Sequence, residues 1–128
     1  MFTRRIDPIV SRLIDLGLSR SAAIAVSSAG TLLQLDAGRT LCTKGERGRQ
    51  AFLLLDGEAT VALADRSVTL GAGDVAGEIA VLDITKSRTA DVVTRTAATV
   101  LVFDPAAYTD LASSKTLNSV LAPQRTAA

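Results

Sequence analysis

Residues 73–93 read GDVAGEIAVLDITKSRTADVV. In this mostly apolar, Ala- and Val-rich run, Gly-Glu-Ile-Ala holds Glu78, and Arg88 opens Arg-Thr-Ala ten residues later. Gly71-Ala72-Gly73-Asp74 is a turn sequence, and Gly77 leaves the backbone uncrowded just before Glu78. If Glu78–Leu82 forms one short helical turn, its first N–H groups are free to accept an anion. Arg88 would add a planar, permanently charged fork suited to phosphate. Thr89 offers a hydroxyl beside it, and Ala90 begins a strand that fixes the position. Glu78 would repel a phosphate, so its carboxylate suits a neutral donor such as a sugar hydroxyl. Together these features point to a small sugar phosphate or nucleotide. Taken alone, Arg88 would read as a solvated charge or as a partner for Asp83 or Asp91, and Glu78 as a residue favouring its own helix N-terminus.

On either side of this segment, short apolar runs alternate with glycine. Leu32–Leu35 precedes Asp36-Ala37-Gly38, Thr40–Cys42 precedes Lys44-Gly45-Glu46, and Ala51–Leu55 precedes Asp56-Gly57. Glu58–Leu63, Ser67–Leu70, Ala90–Thr94 and Thr99–Phe103 follow. Asp56-Gly57 between two apolar runs predicts a β-hairpin, and Ala64-Asp65-Arg66 predicts a second tight connection. Strands this short and this closely spaced indicate a sandwich or small barrel, not alternating β–α units.

Both ends of the chain read as helical. Asp7 is placed to cap a helix with Pro8 at its first position, Ile9, Val10, Leu13, Ile14 and Leu16 recur at helical spacing, and Gly17 suits the C-terminal cap. A second helix is expected after Ser19, ending at Gly30. After the strands, Asp104 and Pro105 repeat the capping pattern, and Tyr108, Leu111, Leu117, Val120 and Leu121 form an irregular apolar face that Pro123 ends. The expected organisation is one domain: a helical segment at 1–30, a strand-built body at 31–104, and a helix with its tail at 105–128. No linker, internal repeat or low-complexity block interrupts it.

Composition bounds the chemistry. A chain of 128 residues buries roughly two thirds of its unfolded surface and needs no staple. The core must be aliphatic, since Phe2, Phe52, Phe103 and Tyr108 are the only aromatic residues. A net charge of +1, from 14 basic and 13 acidic residues, gives no electrostatic footprint for nucleic acid or an anionic membrane. Cys42 stands alone, which excludes an intrachain disulfide and reads as a small buried residue of a reducing compartment. Histidine is absent, which removes the commonest metal ligand and general base together with the serine and cysteine triads. The uncharged run from Ser21 to Leu35 follows Arg4-Arg5, but Asp7, Asp15 and Arg20 intervene and serines interrupt it, so it reads as helix and strand, not as a secretory signal. No segment reaches the ~20 apolar residues of a membrane-spanning helix. The expectation is a soluble cytoplasmic protein. Lys44, Arg47 and Arg49 read as a solvated basic loop.

At Gly77-Glu78-x-Ala80 and Arg88-Thr89-Ala90 the sequence resembles the cyclic nucleotide-binding domain family of catabolite-activator-type regulators, kinase regulatory subunits and gated channels. That family carries a phosphate-binding cassette, Phe-Gly-Glu-x-Ala, followed by Arg-(Ala/Ser/Thr)-Ala. The likeness extends over about residues 30–104, with Leu35-Asp36-Ala37-Gly38, Lys44-Gly45-Glu46, Phe52–Glu58 and Leu70–Asp74 matching the family's turns in order. Two positions depart from the pattern: Ala76 stands where Phe is usual, and Ser87 where a proline or other apolar residue often precedes the arginine.

The resemblance implies a mainly β fold with flanking helices: a cyclic nucleotide-binding β-roll, a jelly-roll-like barrel, with N-terminal helices and one C-terminal helix. It implies a pocket of Gly77, Glu78, Ile79, Ala80, Arg88, Thr89 and Ala90. There Arg88 and the cassette backbone hold the cyclic phosphate, Glu78 takes the ribose 2′-hydroxyl, and Thr89 touches phosphate or base. The ligand is then a cyclic purine mononucleotide, cAMP or cGMP, with no other cofactor and no metal. Ser113, Ser114, Thr116 and Asn118 could reach the base from the terminal helix, which acts as a ligand lid in the family. Roughly twenty residues follow the last strand, too few for a helix-turn-helix domain, so a non-catalytic, stand-alone sensor is expected to signal through a protein partner or a homodimer. The alternative is a degenerate fold without ligand, serving as an interaction module. A metal-dependent enzyme on a similar roll ranks last, because such enzymes set their metal on histidines.

Overall fold

The computed structural model describes residues 7–48, 50–77 and 87–112. Helices α1 (Pro8–Asp15) and α2 (Arg20–Ala29) precede eight strands: β1 (Thr31–Leu35), β2 (Thr40–Cys42), β3 (Ala51–Asp56), β4 (Ala59–Ala62), β5 (Ser67–Leu70), β6 (Val75–Ala76), β7 (Asp91–Thr94) and β8 (Ala98–Phe103). Helix α3 (Pro105–Ala112) follows. The strands form two antiparallel four-stranded sheets, ordered β1-β8-β3-β6 and β2-β7-β4-β5.

The helix ends form as their sequence signals require. Asp7 accepts the Ile9 N–H at 2.8 Å, Ser19 accepts that of Ala22 at 3.2 Å, and Asp104 accepts that of Ala107 at 2.8 Å. Each cap contributes about 1 kcal/mol. Gly17 leaves α1 with φ +111, the left-handed conformation that terminates helices on glycine. Helix α3 is described to Ala112; Leu117, Val120, Leu121 and Pro123 lie outside the described residues.

Alternation along the central strands divides the core into two layers. Ala51, Leu53 and Leu55 of β3 join Leu101 and Phe103 of β8 and Val75 of β6 against Leu13, Leu18, Ala22, Ala23, Val26, Tyr108 and Leu111 of the helical segments. Phe52, Leu54, Val100 and Val102 point the other way, into the space between the sheets, where they meet Cys42, Ala59, Val61, Leu70, Ala90 and Val92. Strand β3 is therefore apolar on both faces because both faces are covered. Burying each of these Leu or Val side chains contributes roughly 1.5–3 kcal/mol. The Phe103 and Tyr108 rings pack tilted with centroids 6.3 Å apart, joining the last strand to α3.

The expected hairpin at Asp56-Gly57 does not form. Strand β3 pairs with β6 and β8, whereas β4 pairs with β5 and β7, so the turn carries the chain from one sheet to the other. Gly57 does adopt the positive φ that Asp-Gly favours, +88. The turn geometry is legible in the sequence, but the pairing is not, because the neighbours on each side come from distant sequence. The second tight connection does close a hairpin: β4 and β5 pair from Ala59↔Leu70 to Ala62↔Ser67, and the Leu63 N–H reaches Arg66 O at 2.8 Å. Strand β6 has only two residues and carries no periodic signal. A buried Thr94 hydroxyl donates to Asp36 O at 2.7 Å and accepts from the Arg39 N–H at 2.8 Å, tying the β1–β2 turn to β7.

Among the described residues no helix is long and apolar enough to cross a membrane.

Candidate functional site

Between β6 and β7 the chain leaves the first sheet at Gly77 and rejoins the second at Asp91. Its N-terminal end is held by β6 and by the turn before it. Val75 and Ala76 pair with Leu53 and Phe52 of β3, and Gly73, with φ +91, turns the chain into β6 while its N–H donates to Leu54 O at 2.8 Å. The Asp74 carboxylate closes the same turn by accepting the Gly71 N–H at 2.9 Å.

Arg88 is the site's dominant feature. Its residue is only 5% exposed, so it is not the solvated charge that its type alone would suggest. Nη1 donates to Gly77 O and Nη2 to Gln50 O, both at 2.8 Å. Its guanidinium lies 6.0 Å from the centroid of the Phe52 ring, within range of a cation–π attraction. Among the described residues no carboxylate ion-pairs with it. Asp91 is engaged elsewhere, its Oδ1 accepting the Lys44 N–H at 2.7 Å; Asp83 lies outside the described residues.

The backbone of Arg88 is held as firmly as its side chain. Its N–H donates to Glu46 O at 2.8 Å, and its carbonyl accepts the Gly45 N–H at 2.9 Å. These two bonds lay the 43–50 loop beside residue 88. Lys44 and Arg47 are exposed as expected of a basic loop, and Arg49 lies outside the described residues. The loop therefore has a second face, turned toward Arg88, that its charges do not announce.

The remaining sequence-derived site residues divide cleanly. Gly77 adopts φ +83 and presents its carbonyl to Arg88. Thr89 is exposed, and Ala90 is fully buried between the sheets. Glu78, Ile79 and Ala80, with the proposed helical turn to Leu82, lie outside the described residues, as do Ser113, Ser114, Thr116 and Asn118.

Three further participants stand outside the sequence motif: Gly48, Gln50 through its carbonyl, and Phe52. Only Phe52 carries any signal in the sequence, as the one aromatic residue within the central apolar run. It pairs directly across from Ala76, so the two side chains lie on the same face of the sheet.

Chemically, the arrangement is a buried cation with neutral acceptors on two sides. A guanidinium has five N–H donors, and the two described side-chain bonds go to neutral carbonyls, with no carboxylate paired to it among the described residues. Burial makes such a charge costly unless it is paired, and a planar fork of this kind favours a phosphate or carboxylate.

Comparison with known proteins agrees with the fold. The cyclic nucleotide-gated potassium channel of Rhizobium etli is 40% identical over 65 residues, which are 51% of this chain and 18% of the channel. The chain thus spans less than a fifth of that relative's length. A solved structure of Sp-2Cl-cAMPS bound to PKAR CBD2 matches with TM-score 0.68 and 23% identity, covering 88% of this chain and 75% of the other. The regulatory domain of Toxoplasma gondii PKA with cAMP gives TM-score 0.70 and 20% identity, over 83% of this chain and 44% of that one. The Thermus thermophilus catabolite activator protein gives TM-score 0.64 and 20% identity, over 75% and 47%. These structures establish the shared β-roll. In the matched families this domain is regulatory, not catalytic. The family model of the cyclic nucleotide-binding domain matches residues 32–115, spanning both sheets and the Arg88 slot, and the chain belongs to the cyclic nucleotide-binding domain family.

Proposed function

We propose that this chain binds a cyclic purine mononucleotide, cAMP or cGMP, between Gly77 and Ala90, and acts as a non-catalytic sensor. The observation that carries this reading is Arg88: a cation 5% exposed, held by two neutral carbonyls and paired with no carboxylate among the described residues. A cyclic phosphate offers that cation a negatively charged partner. Glu78, by its position next to Gly77, accepts the ribose 2′-hydroxyl, and Thr89 adds a hydroxyl beside the arginine.

The signal leaves through the helical layer. Val75 of β6, two residues before Gly77, belongs to the same core cluster as Leu13, Val26, Tyr108 and Leu111, so a shift of the cassette reaches α1, α2 and α3 through the core they share. Ligand that binds one arrangement of this layer better than another shifts its population. A protein partner or a second copy of the chain would read the change.

Calorimetry with cAMP and with cGMP, on protein stripped of carried-over nucleotide, tests the reading. Saturable heat with either ligand is expected. Absence of heat with both at high micromolar concentration would overturn it and favour a ligand-free interaction module.

A further inference from the structure

The wall around Arg88 includes a residue that contributes only by lacking a side chain. The two backbone bonds between the 43–50 loop and Arg88 bring Gly48 against the guanidinium. A β-carbon built on Gly48 would overlap Arg88 Nε, Cζ and Nη2. Gly77 closes the other side, where a β-carbon would overlap Arg88 Nη1 and fall 2.8 Å from Gln50 O. With the Phe52 ring, 6.0 Å from the guanidinium carbon, these glycines form a slot around the guanidinium.

The two glycines are there for different reasons. Gly77 has φ +83, a backbone conformation that by itself favours glycine. Gly48 is not among the glycines of positive φ, so a left-handed backbone is not what calls for glycine there. What calls for it is the contact with Arg88.

We propose that Gly48 is a positioning residue for anion binding: by presenting no β-carbon, it keeps open the slot from which Arg88 meets the ligand. This rests on the reading of Arg88 as the phosphate ligand. A side chain at 48 acts through Arg88, because the atoms it would meet are the far end of the long arginine side chain and not backbone. The guanidinium is then expelled and loses its bonds to the Gly77 and Gln50 carbonyls.

The test is a cycle of Gly48→Ala and Gly48→Val, each made in the otherwise unchanged chain and together with Arg88→Ala. Two quantities are read: affinity for cAMP and cGMP by calorimetry, and the denaturant midpoint without ligand. Gly48→Ala is expected to weaken binding and Gly48→Val to weaken it by about tenfold or more, the scale of a lost charge-assisted hydrogen bond. The midpoint is expected to fall in step. In the Arg88→Ala background neither change at 48 should lower the midpoint, since the new side chain enters vacated space. Wild-type affinity in Gly48→Val overturns the positioning role. An equal midpoint loss in both backgrounds also overturns it, since residue 48 would then act on its own backbone. If the unchanged protein binds neither nucleotide, the functional reading falls, while the midpoint cycle still decides whether residues 48 and 88 share the slot.

Discussion

The Arg88 guanidinium donates to the carbonyl oxygen of Gly77 at 2.8 Å, linking the two ends of the segment that separates β6 from β7. A second bond of the same length reaches Gln50 O, so one side chain gathers three stretches of chain at one point. The same residue is the buried positive charge on which the functional reading rests. On that reading structure and binding share a single group, and its replacement separates them only if the two effects differ in size.

Arg88→Ala is expected to lose about 2–4 kcal/mol of cyclic-nucleotide binding, the scale of several charge-assisted contacts to phosphate. Arg88→Lys restores charge but not the planar fork, so it should recover only part of the loss. Calorimetry on the two variants measures both. Affinity unchanged in Arg88→Ala would remove Arg88 from the pocket.

How much of this is legible in the sequence depends on the range of the interaction involved. Asp7, Ser19 and Asp104 announce their helices because capping is decided within three residues. The apolar run Ala51-Phe52-Leu53-Leu54-Leu55 marks a strand buried on both faces. Arg88 and Gly77 are recognisable from their order and spacing within a motif. Gly48 is hidden in a loop whose basic residues suggest a solvated tip. Its partner lies forty residues away, and a glycine chosen for space looks the same in sequence as one chosen for a turn. The Asp56-Gly57 signal fails for a related reason: it reports backbone sign, and the strands on either side are claimed by β6, β8, β5 and β7.

That crossover makes a stability prediction. Gly57 has φ +88, and a β-carbon there would overlap Ala97 O and lie 2.8 Å from Ala98 Cα. Both contacts are with the start of β8 and the turn before it, which cannot yield as a flexible side chain would. Gly57→Ala should therefore cost about 1–3 kcal/mol from backbone strain and crowding together. Gly38 has a similar φ, +85, but a β-carbon there would meet nothing within 4 Å, so Gly38→Ala should cost less. Urea denaturation of the pair measures the difference; equal losses would show that crowding at 57 is relieved.

Ala76 is the last point at which sequence and packing can be set against each other. It is fully buried and faces Phe52 across the β3–β6 pairing, while the Phe52 ring stands beside the Arg88 guanidinium. A small residue opposite a large one fills the space between the sheets once. Ala76→Phe restores the ring usual in the family but adds a second where one already fits. Overpacking should cost about 1–3 kcal/mol. Adding Phe52→Ala to Ala76→Phe should recover part of that loss, because the two side chains lie on one face and compete for one volume. The four proteins of this cycle, compared by denaturant unfolding, measure the coupling directly. If the two changes simply add, Phe52 and Ala76 do not share that space.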